Sequence, residues 1–462
     1  MNYNIENNTK VNYSIEETGK RYDRKRTVIS GNDFLGTPPQ KVSSGDYKLE
    51  GADGKEFYLT DDMLSMGLML LGSTGCGKTN TMFQLLDRIL LEKKLGPEDT
   101  MIIFDSKHDF RERYYDKNNP NHLLLSLDEK DRDESVIWNI FLELFDGKNP
   151  LSIGAMEVNS REIAAMLFEG IESKMQPVFN LSAADFLSKV MCSMMIEANS
   201  DSSCKNILQK ANNYELNKLL SKCDNKKLLE ITGKRESYKY LKTYVGDGSS
   251  NQALGVYAYL SSARQRTFIS RFSEQSMKRA FGVRKFIREK GGKILFLEYD
   301  HRYKETLSVV FSLFYNLAIK EALSCPGGNK WFICDEANLV PYITSLQDLL
   351  NVGRSFGCKT VFGLQSIAQL KNNYDDAYAE SLAAGFCNLM AFHNTDYSSR
   401  EYVKQRSGEA FEVYDYGAEH VTHESFTVRD SDLQNLECGQ AFIDLKHVPV
   451  FRFKFKEWKK GR

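Results

Sequence analysis

Net charge is the first thing this sequence lacks. Its 61 basic side chains are balanced by 62 acidic ones. There is no global positive field of the kind that marks small nucleic-acid binders, so any phosphate contact must come from local patches. Long apolar runs are missing too. The most apolar stretch, residues 63–71, falls well short of the ~18 residues that a membrane-spanning helix needs. Residues 1–20 are polar and acidic, without the apolar core of a signal peptide. The nine cysteines form no C-x-x-C pair and no even framework, which is the pattern of reduced thiols, not of disulfides or a zinc site. No internal repeat and no low-complexity tract stands out. These absences lead to the expectation of a cytoplasmic protein with no membrane span, recruited to the inner face of a membrane, if at all, by a partner.

What is present reads as a soluble globular chain, 42% hydrophobic and 27% charged. A length of 462 residues suggests two or three domains, or one large domain with an insertion. Residues 1–26 read as a disordered arm ending in the basic cluster Lys20, Arg21, Arg24, Lys25 and Arg26. Residues 27–150 open an α/β domain. Short alternating segments at 47–49 and 56–59 lead into a strand at 67–71, a loop, a helix over 78–92 and a strand at 101–104. Strand, loop, helix, strand is the start of a parallel sheet. Residues 151–288 are helical nearly throughout, with helices expected over 161–168, 183–198 and 207–220, and read as an all-α insertion. The sheet resumes over 289–462, with strands at 293–298, 331–334, 360–364 and 387–392. Near the end, Phe451, Phe453 and Phe455 alternate with Arg452, Lys454 and Lys456, a strand with one apolar and one basic face.

Gly72-Ser73-Thr74-Gly75-Cys76-Gly77-Lys78-Thr79 matches G-x-x-x-x-G-K-[ST] at every fixed position. Glycines let the backbone curl so that several N–H groups point at phosphate oxygens, and the helix beginning at Lys78 adds its positive end. Lys78 is placed to neutralise the β- and γ-phosphates of ATP, and the Thr79 hydroxyl to ligate Mg²⁺. Residues 72–80, Asn80 included, are the expected nucleotide-binding set.

Trp331-Phe332-Ile333-Cys334-Asp335-Glu336 is a buried-strand run ending in two carboxylates. Asp335 fits the role of holding Mg²⁺, and Glu336 that of activating the attacking water. Asp105, at the end of another apolar strand, is a rival for the magnesium role but lacks an adjacent Glu. Gln365 follows the 360–364 strand, where a polar group can sense the γ-phosphate or position water. Arg354, near the end of the preceding helix, is a candidate arginine finger for a neighbouring subunit's nucleotide.

Several segments together resemble the TraG/TraD group of type IV secretion coupling proteins, within the FtsK–HerA class of DNA-translocating ATPases. They are the phosphate loop, Phe104-Asp105-Ser106-Lys107, Trp138-Asn139, Asp335-Glu336, Gly353-Arg354-Ser355-Phe356-Gly357, Gly363-Leu364-Gln365-Ser366 with Gln369-Leu370, and Leu436 with Gly439-Gln440-Ala441. The resemblance covers roughly residues 65–445. It implies a RecA-like motor domain carrying an all-α insertion, assembled as a hexameric ring and coupling ATP hydrolysis to DNA transfer. It assigns Gln365 to the sensor position and Arg354 to the trans-acting arginine. It also implies a relaxase or secretion-channel protein as partner. Two features depart from the family: the transmembrane helices that usually precede the motor are not seen, and His108 stands where a glycine often follows the Asp-x-Lys turn.

Two basic clusters are candidates for DNA contact that ignores sequence. One is Lys205, Lys210, Lys218, Lys226, Lys227, Lys234, Arg235, Lys239 and Lys242, interleaved with Tyr238, Tyr240 and Tyr244. The other is Arg264, Arg266, Arg271, Lys278, Arg279, Arg284 and Lys285. The function expected is an ATP-hydrolysing oligomeric DNA motor. The alternatives are a nucleotide-dependent switch acting on a protein complex, and a packaging ATPase with the same core.

Overall fold

The structure, a computed structural model, describes residues 11–17, 20–31, 34–93, 95–146, 149–168, 177–201, 206–222, 225–246, 248–275, 278–339, 343–415 and 420–458. A nine-stranded sheet organises it. The strands are β1 (Leu68–Leu71), β2 (Thr100–Asp105), β3 (His122–Leu125), β4 (Lys293–Glu298), β5 (Lys330–Cys334), β6 (Cys358–Leu364), β7 (Asn388–Phe392), β8 (Gln440–Asp444) and β9 (Phe451–Lys454). Their order is β9-β8-β7-β1-β6-β5-β2-β4-β3. β1 lies parallel to both β6 and β7, and β4 lies parallel to both β2 and β3. β8 and β9 return antiparallel.

The sequence explains the contrast between centre and edge. β1 reads Leu-Met-Leu-Leu, and each residue is 1% exposed or less. An unbroken apolar run is what a strand covered on both faces requires. β9 alternates instead: Phe451 and Phe453 are buried while Arg452 and Lys454 face solvent, the period-two pattern of a strand with one wet face. Every strand expected between 67 and 392 is present. β3 was not expected, because two of its four residues are only half-buried and the run is short.

The chain divides into two compact units. One holds residues 1–95, 332–338 and 359–462. Here the helix after the phosphate loop is α1 (Lys78–Asp87), and the turns expected to continue it widen into a π-helical stretch, Arg88–Lys93. α1 is tied down by side chains of its buried face. Gln84 accepts from the Glu50 N–H at 2.8 Å and donates to the Lys456 carbonyl at 2.9 Å. Asp87 accepts from the Trp458 indole N–H at 2.6 Å. Residues Val11–Glu17 and Lys20–Gly31 pair with Glu409–Asp415 and His420–Phe426 in a four-stranded antiparallel sheet. That corrects the expected disordered arm for residues 11–17 and 20–26; residues 1–10, 18 and 19 lie outside the described residues. The pairing strand Glu409–Asp415 comes from the far end of the chain, so nothing local announced it.

The other unit holds residues 96–331 and 339–358. Its helices Ile153–Phe168, Pro177–Ser200, Asn213–Ser221, Asn225–Gly233 and Asn251–Thr267 make up the helical block. The helix expected over 207–220 is interrupted: a 3₁₀ turn, Ile207–Gln209, ends, and Asn212 caps a fresh helix by accepting from the Glu215 N–H at 2.9 Å. The block enters and leaves the α/β part at one place, where Ile137–Trp138 runs parallel to Ala280–Phe281. Asn213 stitches this joint. Its amide donates to the Trp138 carbonyl at 2.9 Å and the Phe272 carbonyl at 2.7 Å, and accepts from the Ile140 N–H at 3.0 Å. Glu143, fully buried, accepts from the Trp138 indole at 2.7 Å and from the N–H groups of Val283 and Arg284 at 2.7 and 3.0 Å. The Trp138-Asn139 motif is thus a structural joint. Among the described residues no helix is long and apolar enough to cross a membrane.

Glu143→Ala strips three buried donors of their acceptor. It should lower the unfolding free energy by about 3 kcal/mol, measurable by urea denaturation followed by circular dichroism.

Candidate nucleotide-binding site

The phosphate loop leaves β1 at Gly72 and enters α1 at Lys78. Gly77 has φ 115°, and a Cβ there would lie 3.0 Å from the Gly439 Cα. Both the backbone angle and the space therefore demand glycine. The turns at Gly75 and Gly77, both at positive φ, curl the chain into a concavity in front of the helix N-terminus, a geometry that favours anions. The Lys78 ammonium folds back across the loop and donates to the carbonyls of Gly72 and Ser73, the latter at 3.1 Å. A phosphate group would find backbone donors and a flexible cation in one place, so the residues present fit a nucleotide.

Neighbouring strand ends hold the loop. The Gly72 N–H donates to the Leu364 carbonyl at 3.1 Å, and the Ser73 N–H to the His393 carbonyl at 3.0 Å. The Thr395 N–H reaches the Ser73 hydroxyl at 3.2 Å. From the other side, the Gly439 N–H donates to the Cys76 carbonyl at 2.9 Å, and Cys438 Sγ lies 3.2 Å from the Gly75 carbonyl oxygen. Cys76 is buried and burial pushes its thiol pKa up, so it fills space and is not a nucleophile. The Asn80 side chain is committed to the C-terminal segment: it donates to the Lys456 carbonyl at 3.0 Å and accepts from the Trp458 N–H at 2.6 Å.

Asp335 follows β5 and is 8% exposed; Glu336 is half-buried. Gly363 in β6 makes their placement possible. A Cβ at Gly363 would lie 2.2 Å from the Asp335 carbonyl oxygen, so the two backbones touch. Two residues later, just beyond the end of β6, Gln365 Nε2 donates to Glu336 Oε1. The Asn394 side-chain amide donates to the Gln365 backbone carbonyl at 2.8 Å. The phosphate loop, Asp335, Glu336 and Gln365 all lie in the first unit. Asn394 was not anticipated. It follows β7 and carries no motif of its own.

Arg354 lies in the second unit, on the 3₁₀ turn Gly353–Phe356, and is exposed. Asp105 is fully buried and already occupied. Its carboxylate accepts from the N–H groups of Lys107, Phe110 and Arg111 at 3.2, 2.9 and 2.8 Å. Burial raises its pKa against the pull of those donors. Its geometry is that of a cap for the turn and helix that follow.

The two basic clusters differ. In the first, the described lysines at 218, 226, 227, 234, 239 and 242 are exposed. Lys210, Lys218, Lys222, Lys227 and Lys234 line a cavity of about 340 Å³ together with Glu197, Glu215 and Glu230. Lys205 lies outside the described residues. Of the tyrosines, Tyr238 is buried with its hydroxyl on Glu157, while Tyr240 is exposed and its hydroxyl donates to Asp185 at 2.6 Å. The second cluster breaks up. Arg271 is buried and donates to the Arg132 carbonyl at 2.9 Å, and Arg284 is buried against Glu162 at 2.9 Å. Lys278, Arg279 and Lys285 stay on the surface.

A mostly parallel sheet, a glycine-rich loop feeding a helix, and an acidic pair two strands away define a P-loop nucleotide-binding protein. The chain belongs to the family of type IV secretion-system coupling protein DNA-binding domains, which its residues 59–456 match. It is 30% identical over 164 residues to the coupling protein TraD of Escherichia coli (strain K12). That match takes in 34% of this chain but 22% of TraD, so the chain spans well under two thirds of that relative. Among solved structures it superposes on the plasmid coupling protein TrwB in complex with the GTP analogue GDPNP, with TM-score 0.72, 18% identity, and 96% and 97% of the two chains covered. TrwB has also been solved with ADP and Mg²⁺, at TM-score 0.69. VirB4 of Thermoanaerobacter pseudethanolicus shares the fold more distantly, at TM-score 0.51 and 12% identity over 92% of this chain.

Gly363→Ala forces the β5 and β6 backbones apart under the acidic pair. The expected outcome is a fall in melting temperature of about 4 °C or more and at least about ten-fold weaker MgATP binding, read by calorimetry.

Proposed function

We infer that this chain is an ATP-hydrolysing motor subunit that transfers DNA. The observation that carries the hydrolytic part is the contact between Gln365 and Glu336, just past the end of β5 and next to Asp335. A carboxylate held beside a phosphate-binding loop by a polar side chain is the arrangement that hydrolysis needs and that nucleotide binding alone does not. Family membership supports DNA as the partner, and the exposed lysines of the helical block supply a surface for phosphates without sequence readout.

In this reading the loop from Gly72 to Asn80 cradles the phosphates of ATP, and Lys78 neutralises the β- and γ-groups. Thr79 and Asp335 would hold Mg²⁺, which when bound would spread the charge on the phosphate oxygens. Glu336 takes a proton from the attacking water while Gln365 orients the pair. ATP and water become ADP and phosphate. The exposed Arg354 acts on the nucleotide of a neighbouring copy, which calls for a homo-oligomer, a hexameric ring being the arrangement the family resemblance implies. A relaxase or secretion-channel protein delivers the DNA and recruits the chain to the membrane.

The ATPase rate of the purified protein, with and without single- and double-stranded DNA, tests this. DNA should stimulate turnover several-fold. Lys78→Ala should abolish it, and Glu336→Gln should lower kcat by about 10²–10³. Turnover indifferent to DNA in an oligomeric preparation would point to a switch acting on a protein complex instead. Arg354→Ala should lower kcat by about 10³, and mixing it with Lys78→Ala protein should restore part of the activity, since each variant then supplies what the other lacks.

A further inference from the structure

Gln369 is the third residue of α2 (Ile367–Asn373), whose N-cap is Ser366. Ser-x-x-Gln at a helix start is the sequence of a capping box. In that motif the cap hydroxyl accepts from the N3 backbone N–H, and the N3 side chain reaches back to accept from the cap's own N–H. The first half is made: the Ser366 hydroxyl accepts from the Gln369 N–H at 3.1 Å. The second half is not. Gln369 Oε1 is buried and has no hydrogen-bond partner among the described residues, and the amide is turned so that Nε2 donates to Gln365 Oε1 at 3.3 Å. An available local hydrogen bond is forgone, and a buried acceptor left unpaired, in favour of a contact to a residue at the site. Local rules broken in this way are characteristic of functional positions.

The direction of the chain follows from chemistry. The Glu336 carboxylate only accepts, so Gln365 must present its NH₂ to it. The Gln365 carbonyl then faces away and needs a donor, which Gln369 supplies. We propose that Gln369 is a positioning residue for hydrolysis: it fixes the flip of the Gln365 amide, so that Gln365 offers N–H and not carbonyl to the group beside it. The inference rests on the ATPase reading above and adds to it a residue to which that reading gives no role.

The decisive variant is Gln369→Glu. Glutamate serves a capping box at least as well as glutamine, so helix stability is kept. It cannot donate to Gln365 Oε1, so the Gln365 amide meets an acceptor on both sides, and the orientation that gives N–H to Glu336 loses its advantage over the turned one. The expected result is a fall in kcat of about ten-fold, with KM for ATP within about two-fold and an unchanged melting temperature. Combined with Gln365→Ala, the substitution should cost nothing further, because residues that act as a unit are not additive. Wild-type kcat in Gln369→Glu, or an additive double variant, overturns the proposal. If wild type and Glu336→Gln are equally inactive, the ATPase reading is what has failed. Neutron crystal structures of wild type and Gln369→Glu, which tell amide N from O, then decide: a Gln365 amide turned away from Glu336 in the variant sustains the positioning role, and an unmoved one overturns it.

Discussion

The carbonyl oxygen of Asp335 occupies the space where a side chain of residue 363 would otherwise be. This backbone approach sets the reach of everything that follows β5 and β6. It brings the exit of one strand close enough to the exit of the other for Gln365 to touch Glu336. Consecutive residues on a strand face opposite ways, so Asp335 and Glu336 could not both serve one site from within a regular strand. The strand ends at Cys334, and the bend that follows frees Glu336 from the pleat. The phosphate loop is fastened to the same strand exits through Leu364, His393 and Thr395. A nucleotide that moves the loop therefore acts on the segments that also bear Gln365.

The helical block depends on a different kind of constraint. A joint made of one parallel two-residue pairing has little backbone to hold it, so side chains do the work. Asn213 and Glu143 each satisfy several backbone or indole groups in a buried setting. Such groups are costly to leave unpaired, which makes the joint specific. The same logic removes two of the seven residues of the second basic cluster. Arg271 and Arg284 carry charge in the sequence but spend it inside the fold, where it is unavailable to DNA.

Some of this was legible one residue at a time. The phosphate loop is a local device: its glycine angles, its lysine and its helix start are neighbours in the chain, so eight consecutive letters sufficed. The strands of the sheet's centre were legible because burial on both faces leaves no polar residue in the run. The helix break before Asn213 was not, since an Asn cap and a helix interior look alike until the turn is seen. Nor was the sheet joining residues 11–17 and 20–31 to 409–415 and 420–426, which pairs opposite ends of the chain.

The sequence by itself determined the phosphate-loop motif and the acidic pair, because both are written in contiguous residues whose geometry the backbone supplies. Tertiary structure alone decided which of the remaining polar residues take part. Asp105 and Asp335 both end buried strands, yet one is spent on three N–H groups of its own turn and the other lies against Gly363 of a second strand. Gln369 could have closed a capping box and instead turns to Gln365. Hydrogen-bonding capacity is a property of the residue, but the partner that uses it is set by what packing brings within about 3 Å, and sequence order does not fix that.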